Sequence, residues 1–425
     1  SLQKNTTGTN NTGLGHSALR ANTTASNNTA VGYNSLLANT TGTGNVAVGS
    51  GASDANTDGD SNIAVGVGAL GSDTRGNFST AIGHAALNSQ NTTNDTDMYN
   101  TAVGYLAGTL VTTGIRNTLI GGLAGDALTD ADYNVAVGSF ALTTDTLGSR
   151  AVAIGYAALE NQNFTSATDS YNIGIGWNAG GAVTTGVNNT LIGGLAGDAL
   201  TDADLNTAVG YQALSSDTLG SRSTAMGQGS LFSQNFTSAT DTYNTAVGFH
   251  SGLSVTTGVQ NTIVGGLAGD AMTSGDSNTF IGFQAATNGV VTGDDNTAVG
   301  KSAGYSLTSG SNNLFLGHDA GITGSPGGNI TTADNEICLG DENISAANIQ
   351  VDWTVASDAR DKADFTALDL GLDFVKALAP VTYKWDKRSK YGDKFAEGYD
   401  LNAQTPDGTH KEDWLDIGFK AQEVE

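Results

Sequence analysis

The amino-acid sequence predicts an all-β protein, in which a rod of stacked parallel coils, each of about 17 residues, is followed by a small α+β domain. Three observations support this prediction. A short motif recurs through residues 5–340, its core alternates as a β-strand does, and the composition changes after Gly340. The six letters NTAVGY, for example, occupy 100–105 and again 206–211. Repetition with a short fixed period is the signature of solenoids.

The glycine that ends each copy of the motif sets the period. Most steps between these glycines are 17 residues, three are 21 and one is 18. The three long steps carry the related insertions SQNTTNDTDMYN, NQNFTSATDSYN and SQNFTSATDTYN, which create a second, longer period from Gly104 to Gly176 to Gly248. The glycines are Gly15, Gly32, Gly49, Gly66, Gly83, Gly104, Gly121, Gly138, Gly155, Gly176, Gly193, Gly210, Gly227, Gly248, Gly265, Gly282, Gly300 and Gly317, with a weaker copy at Gly340.

Each unit reads as one short strand bounded by turns. It lacks the three- and four-residue apolar spacing of a helix. Its alternating core, Asn-Thr-Ala-Val-Gly, lies between Gly, Asn and Asp residues that favour turns. With neighbouring strands ~4.8 Å apart, nineteen coils would form a rod of roughly 90 Å.

Three columns of the repeat receive predicted roles. The residue before the glycine is β-branched, as in Val31 and Ile82, and we expect it to form a stacked apolar core. The residue two before the glycine is mostly alanine, as in Ala30 and Ala102, which indicates that another backbone packs closely there. The residue four before it is mostly asparagine, as in Asn28, which tolerates turns and can form hydrogen-bonded ladders between coils.

A fourth column, directly after the glycine, is aromatic or histidine at many coils. Core packing is the favoured interpretation, and stacking against carbohydrate is the alternative if the column is exposed. Its histidines lie too far apart along the rod to share one metal ion. The column contains His16, Tyr33, His84, Tyr105, Tyr156, Trp177, Tyr211, Phe249, Phe283 and His318.

A thin coil buries little surface by itself. Since both faces of the strand are apolar or small, we expect one face to meet the coil interior and the other to meet a partner chain. A cyclic homo-oligomer would close such a surface.

Charge and composition exclude several classes of protein. The net charge is −25, and residues 1–356 hold 7 Lys and Arg against 27 Asp and Glu. Phosphate would repel this part of the chain, so we expect no nucleic-acid partner. No run of about 18 apolar residues predicts a membrane span. The lone Cys338 excludes an internal disulfide and is expected to be a small buried residue. The start at Ser1, without Met, indicates a fragment or a processed product.

Acidic turns that recur once in each of the longer periods are weak candidates for Ca²⁺, which prefers several oxygen ligands. A solvated turn is the favoured interpretation, because the calcium β-roll motif recurs about every nine residues, and we expect no other cofactor. The candidates are Asp126, Asp130, Asp132, Asp198, Asp202 and Asp204, with Asp270 and Asp276 in a third, reduced copy.

After Gly340 the sequence gains tryptophan and lysine. The motif SDARDK occupies 357–362, LAPVTYKW occupies 378–385 and GFKAQEV occupies 418–424. The apolar spacing over 365–378 predicts an amphipathic helix, and 381–385 and 417–419 are strand-like.

Two family resemblances follow from these motifs. NTAVGY and NTLIGG resemble repeats in the heads of trimeric autotransporter adhesins and in the shafts of some bacteriophage tail fibres, over roughly residues 5–340. The C-terminal set resembles the intramolecular chaperone of phage endosialidase tailspikes. The resemblance implies a homotrimer, and a module that helps three chains assemble and then cuts itself off. Because that module normally continues past AQEV, the copy ending at Glu425 is expected to be incomplete.

The implied catalytic pair is Ser357 and Lys362, with the cut between Ala356 and Ser357. A serine hydroxyl needs an adjacent base, and a lysine can serve when its pKa is lowered. The alternative from spacing alone is that Ser357 caps the next segment and Lys362 is a solvated charge. At most one turnover of self-cleavage is expected, with no activity on other substrates.

We therefore predict a fibre shaft over 1–340, a connector over 341–356 and a chaperone over 357–425. The predicted protein is a trimeric phage tail fibre or tailspike in the virion tail. Its expected partners are its own copies, other tail proteins, and a glycan or protein receptor on the host surface, without membrane insertion. The alternatives are a trimeric adhesin on a bacterial cell surface and a polysaccharide depolymerase with a site built across chains.

Overall fold

The structure is a computed structural model that describes residues 1–348, 381–386, 391, 400, 403–411, 413 and 415–418. The chain divides into two compact units, Ser1–Ala347 and Asn348–Glu425. Within the described residues the regular elements are strands, and no helical segment there has the length and apolar character needed to cross a membrane. The helix predicted over 365–378 lies outside the described residues.

The first unit is a parallel β-solenoid, as predicted. Nineteen three-residue strands form one sheet, and each strand pairs in register with the strand of the next coil, for example Thr101 with Thr118 and Ala102 with Leu119. With the strands numbered in chain order, this sheet contains β1 (Thr12–Leu14), β2 (Thr29–Val31), β3 (Val46–Val48), β4 (Ile63–Val65), β6 (Thr80–Ile82), β8 (Thr101–Val103), β9 (Thr118–Ile120), β10 (Val135–Val137), β12 (Val152–Ile154), β14 (Ile173–Ile175), β15 (Thr190–Ile192), β16 (Thr207–Val209), β18 (Thr224–Met226), β20 (Thr245–Val247), β21 (Thr262–Val264), β22 (Thr279–Ile281), β23 (Thr297–Val299), β24 (Leu314–Leu316) and β25 (Ile337–Leu339).

The three coils with insertions keep the stack intact and add a second, shorter ladder. A two-residue strand in the coil before each insertion pairs in parallel with a two-residue strand inside the insertion. The pairs are β5 (Gly76–Asn77) with β7 (Thr96–Asp97), β11 (Gly148–Ser149) with β13 (Thr168–Asp169), and β17 (Gly220–Ser221) with β19 (Thr240–Asp241). The insertions therefore bulge from one side of the coil without changing the main register.

Alanine, not the β-branched residue, forms the core at the sheet. Ala30, Ala47 and Ala102 are fully buried, whereas Val48 and Ile82 remain 36% and 39% exposed. In a three-residue strand, successive side chains alternate between faces, so only the middle residue points into the coil. The predicted apolar core of Val and Ile is therefore wrong, and the alanine column fills the core position instead.

In the narrow interior of the coil, a small side chain at the strand centre is matched by a large one from the facing turn, and the reverse. Most strand centres are alanine, and the turn beside them then supplies a buried leucine such as Leu36 or Leu87. Where the strand centre is Leu119, the neighbouring turns carry Gly108 and Gly125. A Cβ on Gly108 would come 2.5 Å from Leu119 Cδ1. Close packing of this kind leaves no room for a large side chain at Gly108 beside Leu119.

The predicted asparagine ladder is confirmed, and it continues between consecutive coils. Asn117 and Asn134 are fully buried. The backbone N–H of Asn134 donates to Asn117 Oδ1 at 2.9 Å, and Asn134 Nδ2 donates to the carbonyl of Gly148 at 2.8 Å. Each amide side chain thus satisfies one backbone donor and one backbone acceptor that would otherwise be unpaired inside the coil.

The recurring glycine has a backbone reason. At Gly176, φ is +137°, a backbone conformation that residues other than glycine rarely adopt. A Cβ there would lie 2.5 Å from the carbonyl oxygen of Gly193. Only glycine permits both this dihedral angle and the close approach of the next coil. The glycine therefore turns the chain at the end of each strand.

In the second unit, β26 (Val381–Tyr383) pairs antiparallel with β27 (Asp416–Gly418). These strands fall at the two segments predicted to be strand-like. Tyr383 and Trp385 meet edge to face, with ring centroids 5.3 Å apart. An α+β character for this unit stays a prediction, since most of the unit lies outside the described residues.

Candidate interaction surface

The outward-facing side of the main sheet exposes a continuous apolar column. In every coil the third strand residue points outward, and Ile120, Ile154 and Leu316 are 36–47% exposed. Most residues of the column are β-branched, which suits a flat pleated surface. A contiguous apolar strip of this kind is typical of interaction surfaces.

The aromatic column after the glycine borders the outward-facing side of the sheet. The large aromatic side chains of this column are between 50% and 58% exposed, so the favoured prediction of core packing is wrong. The glycine turns the chain at the end of the strand, and the next side chain then points away from the coil interior. Some neighbours stack along the rod, His16 on Tyr33 at 5.4 Å and His84 on Tyr105 at 5.5 Å between ring centroids.

A second exposed ladder lies one residue before the buried asparagine column in six consecutive coils, and it is absent from the sequence-based predictions. Phe78 stacks on Tyr99, with ring centroids 5.3 Å apart and planes 8° apart. Two guanidinium groups lie over tyrosine rings 5.0–6.0 Å away. In chain order the ladder contains Phe78, Tyr99, Arg116, Tyr133, Arg150 and Tyr171.

The ladder is held in place by its backbone. All six residues have a left-handed backbone conformation, with φ between 49° and 61°. Arg116 Nη1 donates to the hydroxyl of Tyr133 at 2.6 Å, and Arg150 pairs with Asp169 at 2.6 Å. Because each ring or guanidinium lies against its neighbour, the ladder links six coils along the surface. The regular place of these residues, once in each coil, is the signal that could have revealed the ladder.

The calcium candidates do not converge on one another. The carboxylate of Asp132 accepts the N–H of Ile115 at 2.8 Å, and that of Asp204 accepts the N–H of Val187 at 2.7 Å. Asp198 and Asp202 accept hydroxyl hydrogen bonds from Ser215 and Thr185, both at 2.5 Å.

Asp126 and Asp130 likewise accept hydrogen bonds from Thr143 and Thr113. Among the residues that the structure describes, neither set of three forms a group of potential metal ligands. The carboxylates instead link neighbouring coils, and calcium binding at these turns stays a prediction.

One buried carboxylate holds the insertion in each long coil. These carboxylates were not predicted from the sequence. Asp145 is fully buried; its Oδ1 accepts the N–H groups of Gly148 and Phe164 at 3.0 and 3.2 Å, and its Oδ2 accepts Gln162 Nε2 at 2.6 Å. Gln162 Oε1 in turn accepts Asn172 Nδ2 at 2.8 Å, so the cluster joins the asparagine ladder. Burial raises the pKa of Asp145, although the hydrogen bonds from Gln162 and the backbone oppose that shift.

The same arrangement recurs in the other two long coils. Asp73 with Gln90, and Asp217 with Gln234, occupy the equivalent positions. Burial likewise raises the pKa of Asp73. The carboxylates thus anchor the beginning of each inserted segment.

Cys338 is buried at β25, as predicted, and the backbone N–H of Gly321 lies 3.1 Å from its Sγ. The predicted catalytic residues Ser357 and Lys362, and the predicted scissile residue Ala356, lie outside the described residues.

One family model matches the chain. It is described as the chaperone of endosialidase (Peptidase_S74), and it covers residues 357–425. No curated protein matches the sequence. The chain therefore carries a chaperone-of-endosialidase domain after a parallel β-solenoid. This combination indicates a protein of the fibre or tailspike type.

Proposed function

We propose that this chain is the shaft of a trimeric bacteriophage tail fibre or tailspike, located in the virion tail, that attaches to a host-surface glycan or protein. The observation that carries the proposal is the direct succession of a nineteen-strand solenoid and a chaperone-of-endosialidase domain. The long rod would present its surface to the host, and the C-terminal domain would assist assembly. A trimeric adhesin on a bacterial cell surface, with the same type of shaft, is the alternative.

The outward-facing side of the sheet is the surface we assign to trimer formation. It joins the Val and Ile column to the exposed aromatic column over the length of the rod, and the alanine column already fills the coil interior. Burial of apolar surface is the main driving force for association, at about 25 cal/mol per Å². Three identical chains with this strip would bury it around a common axis.

Substitution of the outer column tests the trimer. Ile120→Asp with Ile154→Asp places charges in the proposed interface, and Leu110→Asp makes the same kind of change at an exposed turn residue outside the sheet. Sedimentation should give three chain masses for the wild type and for Leu110→Asp, and a smaller mass for the double variant. A monomeric wild type, or a double variant that remains trimeric, would reject the assignment.

Self-cleavage would follow assembly. Ser357 would attack the carbonyl carbon of Ala356 while Lys362 accepts the hydroxyl proton and passes it to the departing amine, and water would then hydrolyse the ester. Loss of the chaperone would leave residues 1–356 as the working fibre, with no route back to the assembly intermediate.

Mass spectrometry of the intact protein expressed from the complete gene tests this step. The wild type should end at Ala356, while Ser357→Ala and Lys362→Ala should stay whole. A wild type that stays whole would show that the C-terminal domain remains attached, and it would reject Ser357 and Lys362 as the catalytic pair. The trimeric rod would then be tested by sedimentation alone. Immunogold labelling of purified virions with an antibody to the shaft tests the location.

A further inference from the structure

The last two positions of the column that follows the recurring glycine bring together an imidazole and two carboxylates. His318 follows Gly317, and Asp341 follows Gly340, so these two side chains are neighbours across the final coil. Asp319 is next to His318 in the chain and has a left-handed backbone, with φ at 52°. The imidazole and the farther carboxylate are a full coil apart in sequence, and only the stacking of β24 and β25 makes them adjacent.

The distances from the imidazole to the two carboxylates match the spacing of ligand atoms around a small metal ion. His318 Nδ1 lies 3.3 Å from Asp341 Oδ2 and 3.4 Å from Asp319 Oδ2, and the three atoms all lie within 4.8 Å of one another. Two ligand atoms that are each about 2.0–2.1 Å from a tetrahedral zinc ion stand roughly 3.3 Å apart. Among the described residues, this is the one group of three such side chains with this proximity.

One of the carboxylates is already oriented by a neighbour. The side chain of Asp341 is only 9% exposed. The backbone N–H of Asn343 donates to its Oδ1 at 2.9 Å, and Asn343 Nδ2 donates to its Oδ2 at 3.1 Å. Such outer partners fix a metal-binding carboxylate in one direction and reduce the entropy lost when the ion binds.

The imidazole remains accessible. The His318 side chain is 52% exposed in the single chain, so solvent can reach the imidazole. Lys301, one coil earlier in the same column, forms no ion pair within 4.0 Å of these carboxylates among the described contacts. Water can therefore complete the coordination shell.

We propose that His318, Asp319 and Asp341 form a binding site for a divalent transition-metal ion, zinc being the best match. One imidazole and two carboxylates suit zinc, whereas calcium takes about six to eight oxygen ligands and has no use for the imidazole. The ion would join two consecutive coils at the end of the solenoid, before the chaperone domain. The proposal does not depend on self-cleavage, and it requires that the trimer proposed above leaves this end of the rod open to solvent.

Titration of the full-length, tag-free, metal-stripped chain with ZnCl₂ tests the site by calorimetry. The wild type should bind one zinc ion per chain. His318→Ala and Asp341→Asn should each weaken binding by at least about 100-fold, since loss of even an outer partner costs about 10–100-fold. The matched control is His84→Ala, which removes a histidine of the same column that stacks on Tyr105.

Thermal unfolding gives a second readout. Zinc should raise the unfolding temperature of the wild type and of His84→Ala, and it should leave that of His318→Ala unchanged. Asp319→Asn provides a second variant at a partly exposed position should Asp341→Asn fold poorly.

Three outcomes would overturn the proposal. The first is the absence of stoichiometric zinc binding, which would leave His318 as a hydrogen-bonded imidazole only. The second is equal binding by wild type and His318→Ala. The third is equal affinity for CaCl₂ and ZnCl₂, which would remove the assigned class of ion.

Discussion

The backbone N–H of Asn134 donates a 2.9 Å hydrogen bond to the side-chain Oδ1 of Asn117, one coil earlier. This contact repeats along the solenoid wherever the column is asparagine, and it lies inside the coil beside the parallel sheet. A side chain here replaces water as the acceptor for a buried backbone donor. The ladder therefore contributes to the specificity of the stack as well as to its stability.

Asn117→Ala should lower the free energy of unfolding by about 1–3 kcal/mol, because it leaves the buried N–H of Asn134 and the carbonyl of Ala131 without partners. Urea denaturation measures the change. Asn94→Ala, at an exposed position in an insertion, is the matched control and should have little effect. Equal losses in the two variants would contradict a role for the ladder.

Gly176→Ala should destabilise the solenoid strongly, by about 3 kcal/mol or more, because a methyl group there combines a strained φ of +137° with a clash against Gly193. Gly122→Ala is the control, since its φ is not left-handed and its nearest neighbour would be Ser139 Oγ at 3.8 Å. Thermal unfolding of the two variants should differ clearly. Similar unfolding temperatures would refute the explanation of the recurring glycine.

Leu119→Ala should cost about 2–5 kcal/mol by leaving a cavity at the centre of the coil. Gly108→Leu alone should also destabilise, because the new side chain would collide with Leu119. The double variant should be more stable than Leu119→Ala, since it recreates the alanine-with-leucine pairing found elsewhere in the rod. A double-mutant cycle measures this coupling, and simple additivity of the two losses would argue against volume balance.

The buried Asp145 gives a pH dependence whose sign follows from its raised pKa. A carboxyl with a higher pKa in the folded state binds more protons when folded, so its contribution to stability falls as pH rises from the unfolded value of about 3.9. Asp145→Asn removes this contribution. The unfolding temperature of the variant relative to the wild type should therefore increase between about pH 4 and pH 7. A flat or falling difference would contradict the raised pKa.

Much of the fold was predictable because the coil repeats. The period, the parallel stacking and the asparagine ladder follow from Asn117 and its counterparts at fixed spacing. Which strand face is buried did not follow, since Ala102 and Val103 are both apolar and alternation alone does not say which points inward.

The candidate surfaces were likewise predictable from the sequence only in part. The column of Tyr105 was recognised, but its exposure depends on the turn at Gly104, and the outward direction follows from backbone geometry. The guanidinium of Arg150 stacks on Tyr133 because the coil between β10 and β12 returns the chain to the same column.

The sequence by itself determined that this protein is a repetitive β-rod followed by a different C-terminal domain, because periodic turn and strand residues encode local structure directly. Only the tertiary structure decided which columns are core and which are surface, and which distant residues meet. Its parallel register places His318 beside Asp341, because the closing of a coil brings together side chains that the linear sequence keeps apart.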